Sequence, residues 1–356
     1  MHPYKNNKSM KKLNVLSLFD GISAGQMALK KAEIEVDKYF ASEIDKHAIK
    51  VTNKNFPNTV QLGDITKWRE WDIDWSSIDL VMGGSPCQGF SFAGKQLNFE
   101  DPRSKLFFVF LDICNHVADN NPKMVFLLEN VKMKKEYQNV ISEKLGIGSI
   151  EINSALVSAQ NRKRLYWTNI RNIEQPKDKG VLLKDITIDE NIEDKFFLSD
   201  KAIDYMGRLR NGKPRWEFHK NPLEGKSACL TANMFKGVPY GVLVYDEDKK
   251  ALIVPEATKK GYCEVKPNNG VDLTFINSKT RRGRLMEHKS NCLTASKYDY
   301  NWFDGKIIRR LTPVECERLQ TFPDNYTEGV SDTQRYKALG NSWTVDVIVH
   351  IFKNLI

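Results

Sequence analysis

Short apolar runs alternate with helical patterns through the first 170 residues of the chain. Buried-strand runs occupy residues 13–19, 38–42, 59–62, 78–82 and 124–128. Helical patterns fit residues 26–31, 46–55 and 103–117. Strands that alternate with helices form parallel sheets with helices on both faces. The pattern therefore predicts an α/β fold with a doubly wound, mostly parallel sheet.

This alternation ends near Ile170, and residues 172–304 are irregular, with Gly and Pro punctuation, Lys-rich runs and isolated aromatics. A helical pattern returns at Thr312, where Pro313 and Glu315 complete a capping box with proline at the first helical position. We therefore predict one body from residues 1–171 and 305–356, interrupted by a smaller, irregular, β-rich domain at residues 172–304.

One hexapeptide pattern occurs twice inside the predicted insert. Residues 227–232 read Ser-Ala-Cys-Leu-Thr-Ala, and residues 290–295 read Ser-Asn-Cys-Leu-Thr-Ala. Two copies are too few for a repeat protein. They fit either a pair of strands within the insert or a chance similarity.

Composition excludes several classes of protein. Of the 356 residues, 41% are hydrophobic, which is enough for a sizeable core. The richest apolar runs, residues 106–113 and 125–128, are far shorter than the ~20 residues that span a bilayer, so no membrane segment is expected. The formal charge of +9 suits a polyanionic partner and suits a charged, solvated surface equally well.

The six cysteines form no Cys-x-x-Cys pair and no Cys/His cluster at zinc spacing: Cys87, Cys114, Cys229, Cys263, Cys292 and Cys316. This pattern predicts reduced thiols, as in a cytosolic protein, and no metal site.

The first predicted strand leads into a glycine turn at residues 19–25, and Glu43 follows Gly25 by 18 residues. An acidic residue at the end of the second strand can bind ribose hydroxyls. The turn lacks the phosphate-binding Gly-x-Gly-x-x-Gly pattern, and its Asp20 would repel phosphate but suit a cation. S-adenosylmethionine therefore fits better than NAD, and Asp64 after the third strand can accept from an adenine amine. The alternative is an ordinary turn beside a solvated Glu43.

Cys87 lies in the small-residue loop at residues 83–91, directly after a predicted strand. Active sites of doubly wound folds lie at this carboxyl edge. A thiol must lose its proton to attack, so positive charge nearby would favour nucleophilic chemistry. The alternative interpretation is a buried structural cysteine in a tight turn.

Glu129 follows the predicted strand at residues 124–128 and should emerge at the same edge. Its carboxyl group could protonate or hydrogen-bond a heterocycle nitrogen, and otherwise it is a common neighbour of a helix cap. Arg162 and Arg164 alternate along a predicted strand and should share one face. They suit phosphate and a base carbonyl, or a solvated basic edge strand.

Eight motifs in order resemble the cytosine-C5 DNA methyltransferase family, with the irregular insert where that family has its target-recognition domain. They are Phe19-Asp20-Gly21-x-x-x-Gly25, Glu43, Asp64, Pro86-Cys87-Gln88, Glu129-Asn130-Val131, Gln160-x-Arg162-x-Arg164, Arg310-Leu-Thr-x-x-Glu315-x-x-Arg318-Leu-Gln-x-Phe-Pro323 and Gly340-Asn341-Ser342. Any one motif is weak, whereas the ordered set is specific and spans nearly the whole chain.

The resemblance implies transfer of a methyl group from S-adenosylmethionine to C5 of a cytosine flipped out of double-stranded DNA. Cys87 would attack C6, while Glu129 engages N3 and the exocyclic amine. Arg162 and Arg164 would lie near the flipped base and its phosphate. S-adenosylhomocysteine would be the product, and no metal is required.

The resemblance also assigns binding residues. The implied cofactor pocket comprises Phe19, Asp20, Gly21, Gly25, Glu43, Ile44, Asp64, Ile65, Pro86, Asn341 and Ser342. The expected DNA contacts are Gln88, Ser91, Arg281, Arg282 and Arg284, the arginines fitting a solvated charge run equally well.

Trp343 follows the last motif where many bacterial members carry valine, a feature similar to the animal de novo branch. The chain shows no large N-terminal regulatory region, so we expect a compact bacterial or phage enzyme: cytoplasmic, monomeric and able to have a cognate restriction endonuclease. Two alternatives stay open, a tRNA cytosine methyltransferase and a catalytically silent nucleic-acid-binding relative. The presence of both Cys87 and Glu129 disfavours the silent one.

Overall fold

The computed structural model of the chain describes residues 12–85, 105–188, 192–198 and 307–355 continuously. Between residues 202 and 303 it describes shorter segments, chiefly 225–236, 242–246 and the strands named below. By internal contacts the chain divides into two compact units. The larger unit consists of residues 1–188, 224–241 and 312–356, and the smaller of residues 189–223 and 242–311.

The larger unit contains a seven-stranded sheet. Its strands are β1 (Leu13–Leu18), β2 (Val36–Ser42), β3 (Val60–Gln61), β4 (Leu80–Gly84), β5 (Val125–Val131), β6 (Ile150–Asn153) and β7 (Lys163–Thr168). They lie in the order β3-β2-β1-β4-β5-β7-β6. The pairs among β1 to β5 are parallel, whereas β7 runs antiparallel to β5 and β6. The predicted doubly wound, mostly parallel sheet is confirmed.

Seven α-helices are described in the same unit: α1 (Ala24–Lys31), α2 (Lys46–Asn55), α3 (Lys105–Asn120), α4 (Lys135–Leu145), α5 (Pro313–Leu319), α6 (Asp332–Asn341) and α7 (Val345–Phe352). The predicted capping box starts α5, where Glu315 N donates to Thr312 Oγ1 and Thr312 N donates to Glu315 Oε2. Helix α2 likewise begins at an Asp45 cap, whose side chain accepts from His47 N.

The core lies on both faces of the sheet because successive strand residues point to opposite sides. Leu16 and Val81 belong to a buried cluster with Phe110 of α3. On the opposite face, Met82 approaches helix α1 so closely that a Cβ at Gly25 would lie 2.4 Å from its terminal methyl carbon. Helices packed on both faces leave the carboxyl ends of β1, β2, β4 and β5 at one edge, where a site can form.

The C-terminal segment packs against the first turn of the chain. The Tyr326 hydroxyl donates to the Ile22 carbonyl oxygen at 2.7 Å, and Lys31 of α1 pairs with Asp346 of α7. These contacts join sequence positions about 300 residues apart. Both ends of the chain therefore build the same body.

The smaller unit is β-rich, as expected of the insert. It contains a three-stranded sheet of β10 (Lys220–Asn221), β11 (Leu243–Asp246) and β17 (Ile307–Arg310) and another of β14 (Asn269–Asp272), β15 (Arg284–Met286) and β16 (Tyr300–Phe303). Two-stranded pairs are β8 (Leu209–Arg210) with β9 (Lys213–Pro214), and β12 (Leu252–Pro255) with β13 (Tyr262–Val265).

The compact units do not follow the predicted boundaries at residues 172 and 304. Residues 172–188 and 224–241 lie within the larger unit. The physical reason is local pairing: Ser227 N donates to the Ala159 carbonyl oxygen, and Asn161 N donates to the Ser227 carbonyl oxygen. The first hexapeptide copy thus bridges to Gln160 rather than forming an extended strand, while the second copy lies outside the described residues. The division into functional domains stays a prediction.

Across the described part of the chain, no helix is long and apolar enough to cross a membrane. Nor do the described residues contain a group of three or more His, Cys, Asp or Glu side chains suited to a metal ion. Of the described cysteines, Cys114, Cys229 and Cys316 form no disulfide.

Candidate active site

The glycine turn joins β1 to α1 with three residues in the left-handed backbone region. Phe19, Gly21 and Ser23 have φ of 57°, 59° and 58°. Only Gly21 adopts this conformation without steric cost. The Gly21 amide donates to Glu43 Oε2 at 2.8 Å. The turn is therefore tied to the end of the neighbouring strand β2.

Glu43 is held by backbone amides on both of its oxygens. Besides Gly21, the amides of Ile44 and Asp45 donate to Oε1, each at 2.8 Å. A carboxylate offers about four lone-pair sites, so it can still accept from a ligand hydroxyl. The Ile44 side chain beside it is 75% exposed, an unusual position for a large apolar group.

Asp20 is buried behind this turn. It accepts from the Tyr39 hydroxyl at 2.7 Å and from Ser23 Oγ. Burial raises the pKa of Asp20 to about 6, hydrogen bonds from Ser23, Ser17 and Tyr39 offset part of the rise, and the Glu43 charge adds to it. Asp20 therefore acts as an internal acceptor beneath the turn.

Asp64 and Ile65 follow strand β3. Asp64 caps a short 3₁₀ turn, since its Oδ1 accepts from the Thr66 amide and hydroxyl, each at 2.9 Å. The bonds from Thr66 lower the pKa of Asp64, so the exposed carboxylate is ionised at neutral pH. Ile65 is buried beside it.

Glu129 lies in the buried part of β5, and its side chain is only 11% exposed. Arg164 Nε donates to Glu129 Oε1 at 2.9 Å, and Trp343 Nε1 donates to Glu129 Oε2 at 3.1 Å. Burial alone would lower the pKa of Arg164, but the Glu129 carboxylate, together with smaller effects of Cys229 and Tyr166, outweighs burial and the pKa is raised. The carboxylate is thus paired at one oxygen and hydrogen-bonded at the other.

Arg162 has a different environment from Arg164. Its terminal nitrogens donate to the carbonyl oxygens of Leu230 at 3.0 Å, Gly340 at 3.2 Å and Ser342 at 2.8 Å. Burial, and next the charge of Arg164, lower the pKa of this guanidinium. Strand β7 begins at Lys163, so Arg162 precedes the strand instead of alternating within it. Both arginines nevertheless line the same cavity.

This cavity encloses about 450 Å³ and brings together thirteen of the predicted site residues. They are Phe19, Asp20, Gly21, Gly25, Glu43, Ile44, Asp64, Ile65, Glu129, Arg162, Arg164, Asn341 and Ser342. Pro86, Cys87, Gln88, Ser91, Arg281 and Arg282 lie outside the described residues, as does the side chain of Arg284 in β15.

Sequence reasoning missed two interactions at this cavity. Trp343 was singled out only as a departure from the bacterial pattern, and nothing in the sequence indicates its bond to Glu129. Lys337 Nζ pairs with Asp45 Oδ2 at 2.8 Å, which ties α6 to the start of α2. Opposite charges separated by 292 residues carry no local signal.

The cavity fits S-adenosylmethionine in size and charge. Its volume lies in the range of small-ligand pockets. Glu43 offers acceptors for ribose hydroxyls, Asp64 offers an acceptor for the adenine amine, and Ile44 and Phe19 offer apolar surface. The two carboxylates also make this part of the cavity wall negative, which suits a ligand of positive charge. The acceptors and the apolar surface of this cavity therefore match the chemical groups of S-adenosylmethionine.

Comparison with known proteins defines the class of protein. Residues 13–356 match the family model for C-5 cytosine-specific DNA methylases, so the chain belongs to that family. It is a DNA cytosine methyltransferase, and the family uses S-adenosylmethionine.

Among curated relatives, the chain is 30% identical to the type II methyltransferase M1.ScrFI of Lactococcus lactis subsp. cremoris, covering 99% of this chain and 80% of that protein. It is also 30% identical to the type II methyltransferase M.HpaII of Haemophilus parainfluenzae, covering 97% and 90%.

Solved structures share the fold. The Entamoeba histolytica methyltransferase EhMeth matches with a TM-score of 0.64 at 18% identity, over 97% of this chain and 99% of that one. The S. pombe Dnmt2 methyltransferase matches with a TM-score of 0.58 at 17% identity, over 97% and 99%.

Proposed function

We propose that this protein methylates C5 of a cytosine flipped out of a specific double-stranded DNA sequence, through a covalent bond between Cys87 and C6. The observation that best supports this is the single cavity lined both by Gly21 and Glu43 and by Glu129 and Arg164. Cofactor-binding groups and base-binding groups must share one space for a methyl group to pass between them.

The roles of the chain's own residues follow from one requirement: C5 of the cytosine ring must become nucleophilic before it can accept a methyl group. The Cys87 thiolate forms a bond to C6 while Glu129 delivers a proton to N3 and accepts from the exocyclic amine, so the electron pair of the C5–C6 double bond becomes available at C5. C5 bonds the methyl group that S-adenosylmethionine would supply, and S-adenosylhomocysteine is the leaving group. C5 then loses its proton to solvent, the bond between sulfur and C6 breaks, N3 returns its proton to Glu129, and the thiolate is restored.

Glu129 lies at the wall of the cavity with both of its oxygens hydrogen-bonded. Its ion pair with Arg164 fixes one oxygen, and the carboxylate faces the cavity. Arg164 thereby acts at the base through Glu129. Arg162 acts by fixing the C-terminal end of α6, since its guanidinium donates to the carbonyl oxygens of Gly340 and Ser342.

The cofactor assignment rests on the glycine turn. Glu43 accepts ribose hydroxyls, Asp64 accepts from the adenine amine, and Ile44 packs on the adenine ring. Gly21 and Gly25 place no side chain at their own positions in the turn, while Asn341 and Ser342 line the cavity from the C-terminal segment. We assign Pro86, next to Cys87 in the sequence, to the same pocket, as the resemblance implies.

We assign recognition of the DNA sequence to residues 172–304, with Arg281, Arg282 and Arg284 as phosphate or base contacts and with Gln88 and Ser91 beside the flipped base. Basic side chains that neutralise phosphates release counterions, so binding should weaken with salt. Relatives named type II methyltransferases support a cognate restriction endonuclease, and the relative named orphan methyltransferase M.SPRI of Bacillus phage SPR supports a solitary enzyme. The active form is a monomer.

The nucleophile is tested by Cys87→Ser, with Cys114→Ala as the matched control because Cys114 is buried in the core below the sheet. The Cys87 variant should lose methyl transfer to DNA while its dissociation constant for S-adenosylmethionine stays unchanged. The Cys114 variant should retain turnover. Undiminished methylation by Cys87→Ser would exclude the covalent route.

The base-binding role of Glu129 is tested by Glu129→Gln, with exposed Glu136→Gln as control. Loss of an acid–base group typically lowers the rate by about 10²–10⁴-fold, and we expect that range. A wild-type rate in Glu129→Gln would remove Glu129 from the mechanism.

The substrate is tested by offering duplex DNA and tRNA with methyl-labelled cofactor. The proposal requires label in DNA cytosine. Label confined to tRNA would favour the RNA-modifying alternative, and label in neither, together with salt-dependent DNA binding, would favour a silent binding protein.

A further inference from the structure

Trp343 connects the C-terminal segment to the base-binding carboxylate. It lies in the short link between α6 and α7, and its indole Nε1 donates to Glu129 Oε2 at 3.1 Å. Glu129 Oε1 accepts from Arg164 Nε at 2.9 Å. The two oxygens of Glu129 are therefore fixed by donors from two elements, β7 and the α6–α7 link.

Gly84 makes this contact possible. A Cβ built at Gly84 would lie 2.9 Å from Trp343 Nε1 and 3.0 Å from Glu129 Oε2. Real Cβ atoms are seldom this close to nitrogen or oxygen, so any side chain at Gly84 would push the indole and the carboxylate apart. The absence of a side chain at the end of β4 thus serves the Trp343–Glu129 hydrogen bond.

The other edge of the indole faces the cofactor turn. A Cβ at Gly25 would lie 3.4 Å from Trp343 Cζ3, an ordinary van der Waals distance. Trp343 therefore extends from the start of α1 to Glu129 and borders both groups of cavity residues.

The indole N–H is a donor that never accepts and never titrates in the physiological range. A single ion pair from Arg164 leaves the carboxyl plane free to turn about its last side-chain bond. A second donor on the other oxygen fixes that plane, and the remaining lone pairs then keep one direction. Fixed hydrogen-bonding groups stabilise a transition state better than groups that must reorient.

We propose that Trp343 is a positioning residue for Glu129, whose indole N–H holds the carboxylate in the orientation that engages the target cytosine. This inference rests on the proposed role of Glu129 in base binding. It also gives Trp343 a role that the valine found at this position in many bacterial members could not perform, because valine has no side-chain donor.

The test is Trp343→Phe, which keeps an aromatic ring against Gly84 and Gly25 but removes the donor. A hydrogen bond to a charged group corresponds to about a 10-fold or larger change in rate when it is lost. We expect kcat for DNA methylation to fall by about 10-fold or more, with KM for S-adenosylmethionine changed less than about 3-fold. Trp75→Phe, outside the residues that line the cavity, is the matched control.

A double variant separates positioning from packing. If Trp343 acts through Glu129, adding Trp343→Phe to Glu129→Gln should lower kcat by less than about 3-fold further. Independent, multiplicative losses would overturn the inference, as would a rise in KM for S-adenosylmethionine with kcat unchanged, since either marks Trp343 as a wall of the cofactor pocket.

The two proposals fail in different ways. An impaired Glu129→Gln variant beside a fully active Trp343→Phe variant overturns the role of Trp343 and leaves the proposed function intact. A fully active Glu129→Gln variant overturns the role of Glu129, and the role of Trp343 with it.

Discussion

Asp20 should make the stability of the protein depend on pH. Its carboxyl group is buried below the glycine turn, and burial raises its pKa from 3.8 to about 6. Each pKa unit corresponds to about 1.4 kcal/mol of differential interaction, so a rise of this size corresponds to about 3 kcal/mol. The ionised form of Asp20 therefore costs the folded state about that much.

Proton binding by Asp20 determines whether the free energy of unfolding rises or falls with pH. Below pH 3.8 Asp20 is protonated in both the folded and the unfolded chain, and the cost is absent. Between pH 3.8 and about 6 the folded chain holds the proton more tightly, so stability is lost as the pH rises. Above pH 6 the full cost of about 3 kcal/mol is present.

Asp20→Asn removes the charge and retains an oxygen that can accept from the Tyr39 hydroxyl. Urea unfolding of the protein without cofactor, at pH 4.5 and pH 7.5, measures the effect. The free energy of unfolding of the variant minus that of the wild type should grow by about 2 kcal/mol between the two pH values. Asp72→Asn, at an exposed position, is the control.

A difference that is flat with pH would refute the reasoning, because the pKa of Asp20 would then be the same in the folded and the unfolded chain. An offset between the two proteins that is equal at both pH values reports only the hydrogen bonds from Ser23 and Tyr39 that the amide changes.

Three further variants test the construction of the site. Gly340→Ala places a Cβ 2.3 Å from the backbone of Thr231 and should lower the free energy of unfolding by about 1–3 kcal/mol. Arg335→Met leaves the fully buried Glu317 carboxylate without its ion pair and should cost about 3–5 kcal/mol. Glu43→Gln should weaken binding of S-adenosylmethionine about 10-fold by calorimetry, since hydrogen bonds to a charged group contribute about 1.5–3 kcal/mol.

Two of these variants have a matched control. Gly148→Ala meets no atom within 4 Å and should leave stability unchanged. Lys12→Met breaks an exposed pair with Glu35, which should cost under about 1 kcal/mol. Equal losses in Gly340→Ala and Gly148→Ala, or in Arg335→Met and Lys12→Met, would contradict the packing described. Unchanged cofactor affinity in Glu43→Gln would remove Glu43 from the pocket.

The body of the fold was predictable because its periodic signals are local. The predicted helix at residues 46–55 coincides with α2, and the capping box at Thr312 begins α5 as expected. Some strands end a few residues away from the predicted position, as β5 does: the predicted strand ends at residue 128, and β5 continues to Val131. A hydrophobic pattern indicates which residues are buried, but it does not indicate where the hydrogen bonds between neighbouring strands end.

The sequence predicts thirteen of the residues that line the cavity, but not the contacts between them. Parallel strands bring Glu43 and Glu129 to one edge whatever the loops do. The bonds of Arg162 to Gly340 and Ser342, and of Trp343 to Glu129, join positions more than 170 residues apart. Such contacts depend on how the C-terminal segment packs, and no local pattern encodes them.

The central claim is that this chain transfers a methyl group to C5 of DNA cytosine by means of Cys87. Its most direct test is bisulfite or mass-spectrometric detection of 5-methylcytosine in duplex DNA incubated with the purified protein and S-adenosylmethionine. We predict 5-methylcytosine at one defined sequence with the wild-type protein and none with Cys87→Ser. Equal 5-methylcytosine from both proteins, or none from the wild type, would contradict the account.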